Sequence, residues 1–396
     1  MPVLAPPKLA SRLRGIGTEG AFEVLARARA LEAQGRSVIH LEIGEPDFPT
    51  PANITEAGIR ALHAGETHYT PAPGILELRQ AIAEYVSRTR GVAVNPAQVI
   101  VGPGAKPVLY WTLLSLLEPG DEVVYPDPSY PLYESIAAFI GARPVGVRLR
   151  EEDGFAITPE AVERALTPRT RMIILNSPHN PTGGMLPRAS VRAIAELAAA
   201  RGLWVLSDEI YSRIHYGAGH HSIYAEPGIA DHCILLDGYS KTYAMTGWRL
   251  GYGVMPLALA EAEQRLIINT VSCTATFTQW AGIEALRGDQ QAVDTMVAEF
   301  RRRRDHCHAE LNRMPGITCR LPEGAFYLFP NISRTGFSSR ELQEKLLDEA
   351  GVALLSGTAF GAGGEGYLRI SIANSLENLS EGLRRIRRWI EQHPAR

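Results

Sequence analysis

Leu236-Asp-Gly-Tyr-Ser-Lys-Thr-Tyr-Ala-Met-Thr-Gly-Trp-Arg-Leu-Gly251 is the stretch on which the fold turns, with Lys241 near its centre and Arg249 eight positions later. An apolar run, Cys233 to Leu236, leads into it and predicts a buried strand, so the lysine stands where a strand gives way to a loop. A lysine in a cleft, beside an arginine that can grip an anion, suits Schiff-base chemistry on a phosphate-bearing aldehyde. A surface turn followed by an arginine on an exposed edge is the plainer alternative, and the stretch by itself leaves both open.

Working outward, similar short runs recur. Residues 98–101, 122–125, 142–149, 172–175, 203–206 and 250–254 read as strands, most separated by helical stretches, one of which spans 105–117 and stops at Glu118-Pro119-Gly120. Such βαβα order predicts an α/β fold: one mainly parallel sheet covered on both faces by helices, with ligands at the loops beyond the strands' carboxyl ends. Helices at 256–269, 278–286 and 290–314 follow, and then the pattern changes. Short strands near 317–320 and 325–329, a helix at 338–349, a strand at 367–372 and a closing helix at 376–392 predict a smaller α+β domain. An N-terminal helix at 19–34, with apolar spacing Phe22, Leu25, Ala28 and Leu31, and a strand at 38–43 are expected to join it. The expected division is residues 46–288 for the large domain and 1–45 with 289–396 for the small one.

With 396 residues, 45% apolar and 21% charged, the chain is long enough for a large core and too apolar for disorder. A net charge of −3 gives no global attraction for nucleic acid or an acidic membrane. The run Arg301 to Arg304 shares its helix with Glu299, Asp305 and Glu310 and reads as a solvated face. Cys233, Cys273, Cys307 and Cys319 are widely spaced, as in a reduced cytoplasmic protein. His306-Cys307-His308 would diverge around a helix, so no metal site is expected. No apolar core of signal-peptide or membrane-spanning length is present.

Two glycine patterns suggest nucleotides and support none. Gly361-Ala-Gly-Gly-Glu-Gly366 precedes a strand rather than a helix, and Gly102-Pro-Gly-Ala-Lys-Pro107 ends on proline. In the second, the N–H groups of Gly104, Ala105 and Lys106 open a helix, where an anion such as phosphate is favoured; a plain N-terminal turn is the alternative. Asn176-Ser-Pro-His-Asn-Pro-Thr-Gly183 forms a tight loop able to aim Asn180 into a cleft. Ser207-Asp-Glu-Ile-Tyr211 ends a strand and offers Asp208 and Tyr211 from one side, although a helix cap explains the aspartate equally.

Taken in order, these three loops and the Lys241 stretch resemble the class I and II aminotransferases, pyridoxal-phosphate enzymes of fold type I. Gly44-Glu-Pro-Asp-Phe48, Tyr69-Thr-Pro-Ala-Pro-Gly74 and Leu368-Arg-Ile-Ser371 extend the resemblance over about residues 20 to 385. It implies a three-layer fold type I transferase with pyridoxal 5′-phosphate held by Lys241 as a Schiff base. The same lysine would carry the proton between the substrate α-carbon and the cofactor. Asp208 would pair with the pyridine nitrogen, Tyr211 and Asn180 with the ring's 3′ oxygen, and Tyr130 would stack on the ring. Arg249, Ser240 and the N–H groups at Gly104, Ala105 and Lys106 would hold the phosphate. Tyr69 would reach the phosphate of a neighbouring subunit, implying a homodimer with shared sites. Arg369 would bind the substrate α-carboxylate, helped by Asn180 and the backbone at Gly44.

Departures also stand out. His179 occupies a position where relatives often have asparagine, and Gly238 one where some have a phosphate-binding serine. No second arginine for a distal carboxylate is apparent, but in a subgroup of the family a lysine at the position of Lys106 takes that role. The resemblance implies transfer of an amino group between an L-amino acid and a 2-oxo acid in ping-pong half-reactions, with aspartate and 2-oxoglutarate as the default pair. A β-lyase or other α-carbon lyase is the alternative on the same fold. A non-catalytic ligand-binding module is disfavoured, because the roughly 40 residues before Gly44 hold no helix-turn-helix pattern. Substrate choice is expected to depend on residues 16–18, on Lys106 and on the neighbour's residues 272–276.

Overall fold

The computed structural model describes residues 9–17, 19–217 and 219–394. Residues 1–8, Thr18, Ala218 and 395–396 lie outside the described residues, and with them both ends of the expected small domain and one position of the expected substrate pocket.

From the N-terminus run helix α1 (Gly20–Glu32), strand β1 (Ile39–His40), helices α2 (Ala52–His63) and α3 (Leu76–Arg90), then β2 (Val99–Gly102), α4 (Ala105–Leu116), β3 (Glu122–Asp127) and α5 (Leu132–Phe139). The alternation continues through β4 (Arg143–Arg148), α6 (Pro159–Ala165), β5 (Thr170–Asn176), α7 (Arg188–Arg201), β6 (Trp204–Asp208), β7 (Cys233–Gly238) and β8 (Gly251–Val254). Helices α8 (Leu257–Thr270), α9 (Thr276–Arg287) and α10 (Gln291–Leu311) lead to β9 (Tyr327–Leu328) and α11 (Ser339–Asp348). Strands β10 (Val352–Ala353), β11 (Leu355–Ser356) and β12 (Leu368–Ser371) and helix α12 (Leu376–Gln392) close the chain.

Among the described residues, seven strands form the central sheet in the order β2-β8-β7-β6-β5-β3-β4. Strands β3 to β7 pair in parallel, whereas β8 is antiparallel to both of its neighbours, β2 and β7. Successive side chains of a strand point to opposite faces. Ile173, Val205 and Leu235 accordingly pack with α3, α7 and α9, and Ile174, Leu206 and Leu236 with α4, α5 and α8. Both faces are therefore buried, as continuous apolar strands require. The mainly parallel sheet between two helical layers is the architecture expected from the sequence.

The single reversed strand matters for the site. Six strands end at one edge of the sheet, and β8 begins at that same edge, so the loop between β7 and β8 presents Lys241 and Arg249 together. A Cβ on Gly251, the first residue of β8, would lie 2.4 Å from the Ala105 nitrogen; the glycine lets the turn before α4 close onto this loop.

A second apolar cluster lies around α10, α11 and α12. Leu379, Leu383, Ile386 and Ile390 form the buried stripe of α12, and Ser375 caps its first turn by accepting from the Asn378 N–H at 3.2 Å. β12 pairs antiparallel with β9 and β11, and β1 pairs in parallel with β10, which brings the N-terminal strand onto the C-terminal third of the chain.

Three expectations are corrected. Residues 317–320 form only an isolated bridge, Thr318 to Asn331, instead of a strand. The buried stripe of α1 is Val24 and Ala28, while Phe22 is 61% exposed, because α1 lies across the mouth of a cavity and Phe22 lines it. The Arg301 to Arg304 run is only half solvated. Arg303 and Arg304 are buried, Arg303 between Asp47 (2.7 Å), Glu299 and the ring of Phe48, and Arg304 against Tyr216 and the Pro322 carbonyl. The turn of α10 carries Arg303 and Arg304 inward, where carboxylates and rings meet them.

Candidate active site

A cavity of about 370 Å³ opens at the carboxyl edge of the sheet. Of the residues singled out in the sequence, it brings together Gly44, Ala105, Lys106, Tyr130, Asn180 and Asp208. Tyr211, Ser240, Lys241, Arg249 and Arg369 line it as well. Gly104 stands just behind, against Arg249. Tyr69 is not in the lining and is 88% exposed. His179 is buried away from it, bonded to Thr182 at 2.8 Å, and burial pushes its imidazole down to about 3. A side chain at Gly238 would meet Ile210 and the Gly251 backbone within the sheet.

At the mouth, Gly104 (φ +95°) precedes α4 in a left-handed conformation, and a Cβ there would fall 2.3 Å from Arg249 Nη2. Arg249 itself has φ +54°, uncommon for an arginine, and is held by the carbonyls of Thr246 (2.7 Å) and Pro103 (3.3 Å). A guanidinium beside the unpaired N–H groups of a helix start is a cradle for a phosphate dianion.

On the floor, Asp208 ends β6. Its Oδ1 accepts from the Ile210 N–H at 3.2 Å and its Oδ2 from the Tyr133 hydroxyl at 2.7 Å. Burial pushes this carboxyl up to about 6, against the two donors, which pull it down. A buried carboxylate with that poise fits a cationic ring nitrogen. Asn176 braces the same turn, donating to the Asp208 carbonyl at 3.0 Å and accepting from the Asn180 N–H at 2.9 Å.

Lys241 Nζ donates to the Gly44 carbonyl at 2.5 Å. Burial lowers its ammonium to about 8, while Glu45 raises it and Arg369 and Lys106 lower it further. Such an amine is partly neutral near physiological pH, as Schiff-base formation needs. Deeper in, Arg369 is buried, stacked between Tyr327 (4.5 Å) and Phe360 (4.7 Å). It donates to Asn180 Oδ1 at 3.3 Å and to the Glu42 carbonyl, and its Nε has no partner among the described residues. A buried guanidinium with a free donor calls for an anion. The donor set thus fits pyridoxal phosphate at each pole, and an amino acid carboxylate beyond it.

Sequence reasoning missed Tyr133, Tyr327 and Glu19. Tyr133 follows Tyr130 by three positions at the start of α5, and the two rings meet edge to face at 5.7 Å; that spacing was a usable signal. Glu19 lies just before α1, pairs with Lys106 Nζ and accepts from the Tyr130 hydroxyl at 3.1 Å. No local pattern marks it.

Known proteins resemble this chain in sequence and fold. Residues 36–386 match the family model described as aminotransferase class I and II. The chain is 44% identical to an aspartate aminotransferase of Pyrococcus horikoshii over 93% of its length and 94% of the relative's. It is 41% identical to an arginine–pyruvate transaminase of Pseudomonas aeruginosa over 95% of both chains. The solved aspartate aminotransferase of Rhizobium meliloti superposes with a TM-score of 0.94 at 36% identity, covering 98% of this chain and 99% of that one. That of Thermus thermophilus with maleate gives 0.93 at 37% identity, covering 97% and 100%. By its fold, its sequence and the chemistry its cavity offers, the chain belongs to the class I and II aminotransferases, enzymes that use pyridoxal 5′-phosphate to move an amino group between an amino acid and a 2-oxo acid.

Proposed function

We propose that the enzyme takes aspartate as donor and 2-oxoglutarate as acceptor, working as a cytoplasmic homodimer. The observation that carries the substrate reading is that, besides Lys241 and Arg249, which this reading assigns to the cofactor, two further cations line the cavity: Arg369, buried, for the α-carboxylate, and Lys106, half-exposed at the α4 start, for a distal one. Several relatives are named aspartate aminotransferases, which supports the same reading.

In this reading, Arg249, Ser240 and the N–H groups of Ala105 and Lys106 hold the phosphate, with Gly104 keeping space for Arg249. Asp208, oriented by Tyr133, keeps a proton on the ring nitrogen. Tyr211 and Asn180 donate to the 3′ oxygen, and Tyr130 covers the ring face. Arg369, the Asn180 amide and the backbone at Gly44 orient the substrate carboxylate. Lys241, with its amine lowered toward neutrality, would hold on Nζ the proton that leaves the substrate α-carbon and would release it again within the site. When bound, pyridoxal phosphate supplies the aldehyde that accepts the amino group and the ring that draws electrons from the α-carbon. Tyr69 completes the phosphate site of the partner subunit. In this reading residues 46–288 form the cofactor domain, and 1–45 with 289–396 the domain that brings Arg369; the apolar cluster around α10, α11 and α12 supports the division, although it reaches across to Tyr211, Ile214 and Tyr216 of the cofactor domain.

A half-reaction screen tests the substrate. Single amino acids are added to the loaded enzyme and the visible spectrum is followed; aspartate is expected to react fastest. Lys106→Ala should slow aspartate at least about tenfold more than alanine, the loss of one charge-assisted contact. Equal losses for both donors, or ammonia release without an acceptor, contradict the reading. Arginine is the competing donor in the panel, because Glu19 also lines the cavity.

A further inference from the structure

Tyr327 stands outside every motif that the sequence singles out, yet its side chain meets three parts of the site. It is 2% exposed and lies in β9 opposite Ser371 of β12, two residues from Arg369. Its hydroxyl is 2.8 Å from the Tyr211 hydroxyl, and its ring lies 4.5 Å from the Arg369 guanidinium carbon. A Cβ on Gly44 would fall 2.3 Å from the same hydroxyl. The residue whose carbonyl holds Lys241 Nζ is thus a glycine where Tyr327 needs the room.

We propose that Tyr327 is a positioning residue: it donates its hydroxyl proton to Tyr211, which leaves the Tyr211 proton free for the cofactor's 3′ oxygen. The proposal rests on the reading of Tyr211 as the partner of that oxygen. A phenol has one proton to give and two lone pairs to accept with. If Tyr211 donated toward Tyr327, it would have none for the cavity. The Arg369 cation over the Tyr327 ring polarises that hydroxyl as the donor of the pair, and a chain of hydrogen bonds strengthens each member. Burial keeps both phenols protonated. The charged and titratable groups facing the pair are Arg369, Asp208, Glu19, Tyr130, Tyr133 and Lys241.

The proton affinity at Lys241 Nζ would respond to this donation. Weaker donation to the 3′ oxygen leaves more negative charge on it, and a proton on the neighbouring nitrogen is then held more tightly. An α-carboxylate on Arg369 would offset the cation over Tyr327 and act in the same direction. Carboxylate binding and proton affinity are linked through one buried ring.

The test is a pH titration of the visible absorbance of the loaded parent, Tyr327→Phe, Tyr211→Phe and the double variant, alongside thermal melts of the four apoproteins. Tyr327→Phe keeps the ring, so the apoproteins should melt alike. Its absorbance midpoint should rise by about half a pH unit, the scale of one neutral hydrogen bond acting at second hand. Tyr211→Phe should shift further, and the double variant should match Tyr211→Phe. An unchanged midpoint in Tyr327→Phe, or the same additional shift in the Tyr211→Phe background, overturns the proposal. A Tyr211→Phe midpoint equal to the parent's would overturn the reading of Tyr211 itself, and this proposal with it.

Discussion

At the scale of single residues, Lys241 carries a cost that the apoprotein should reveal. Its ammonium is lowered from 10.5 to about 8 by burial, so the unfolded chain holds the proton more tightly than the folded one between those values. Below about 8 the buried charge detracts from stability, and the penalty fades as pH rises toward 10.5. Apo Lys241→Ala should therefore melt above the parent at pH 7, with the gap closing by pH 10, while transamination is abolished. Calorimetry across that range checks the sign. Gly104→Ala tests the phosphate cradle. A side chain at φ +95°, 2.3 Å from Arg249, costs about 1–3 kcal/mol of strain or displaces the guanidinium. Pyridoxal phosphate affinity, read by titration of the apoprotein, should drop about tenfold or more.

At the scale of elements, α10 separates two arginines that neighbour each other in sequence. Arg302 points outward and pairs with Glu299 on a solvated face; Arg303 is buried and reaches Asp47, Glu299 and the Ile372 carbonyl. It thereby ties α10 to the Gly44 loop on one side and to the end of β12 on the other. Exposed pairs contribute little, whereas a buried cation removed from its partners strands them. Urea denaturation should show Arg303→Ala losing about 2 kcal/mol or more, because Asp47 and Glu299 are partly wetted, and Arg302→Ala within about 0.5 kcal/mol of the parent. The order of losses, rather than their size, is the decisive reading.

At the scale of the whole molecule, Tyr69 and Ile268 are exposed at 88% and 59%. Neither position is explained within one chain. If Tyr69 serves the partner's phosphate site, inactive Lys241→Ala and weakened Tyr69→Ala chains refolded together should form hybrids with one intact site. Random pairing then restores roughly a quarter of the parent activity, whereas unshared sites restore none beyond the Tyr69→Ala share. Sedimentation of the parent should give a dimer.

The order of strands and loops was legible because Lys241, Asp208 and Asn180 stand at or just beyond a strand end, where an apolar run stops and a turn begins. Lys241, Asp208 and Asn180 could be found that way, and α12 could be read to its last residue from its apolar period and its serine cap. What lay beyond local pattern was decided by packing. That β8 runs against its neighbours, placing Arg249 beside Lys241, is a fact of sheet pairing that Leu250 to Val254 does not encode. The Gly361 to Gly366 run, letter for letter a nucleotide fingerprint, instead closes over Asp127, whose carboxylate accepts from the Gly363 N–H at 2.9 Å. Tyr133 under Asp208 and Tyr327 between Tyr211 and Arg369 arrive from distant segments. Periodicity and turn chemistry act over a few residues, so the sequence alone determined which elements form and which residues end them. The partners that tune those residues are set by contacts across the chain, and only the tertiary structure decides them.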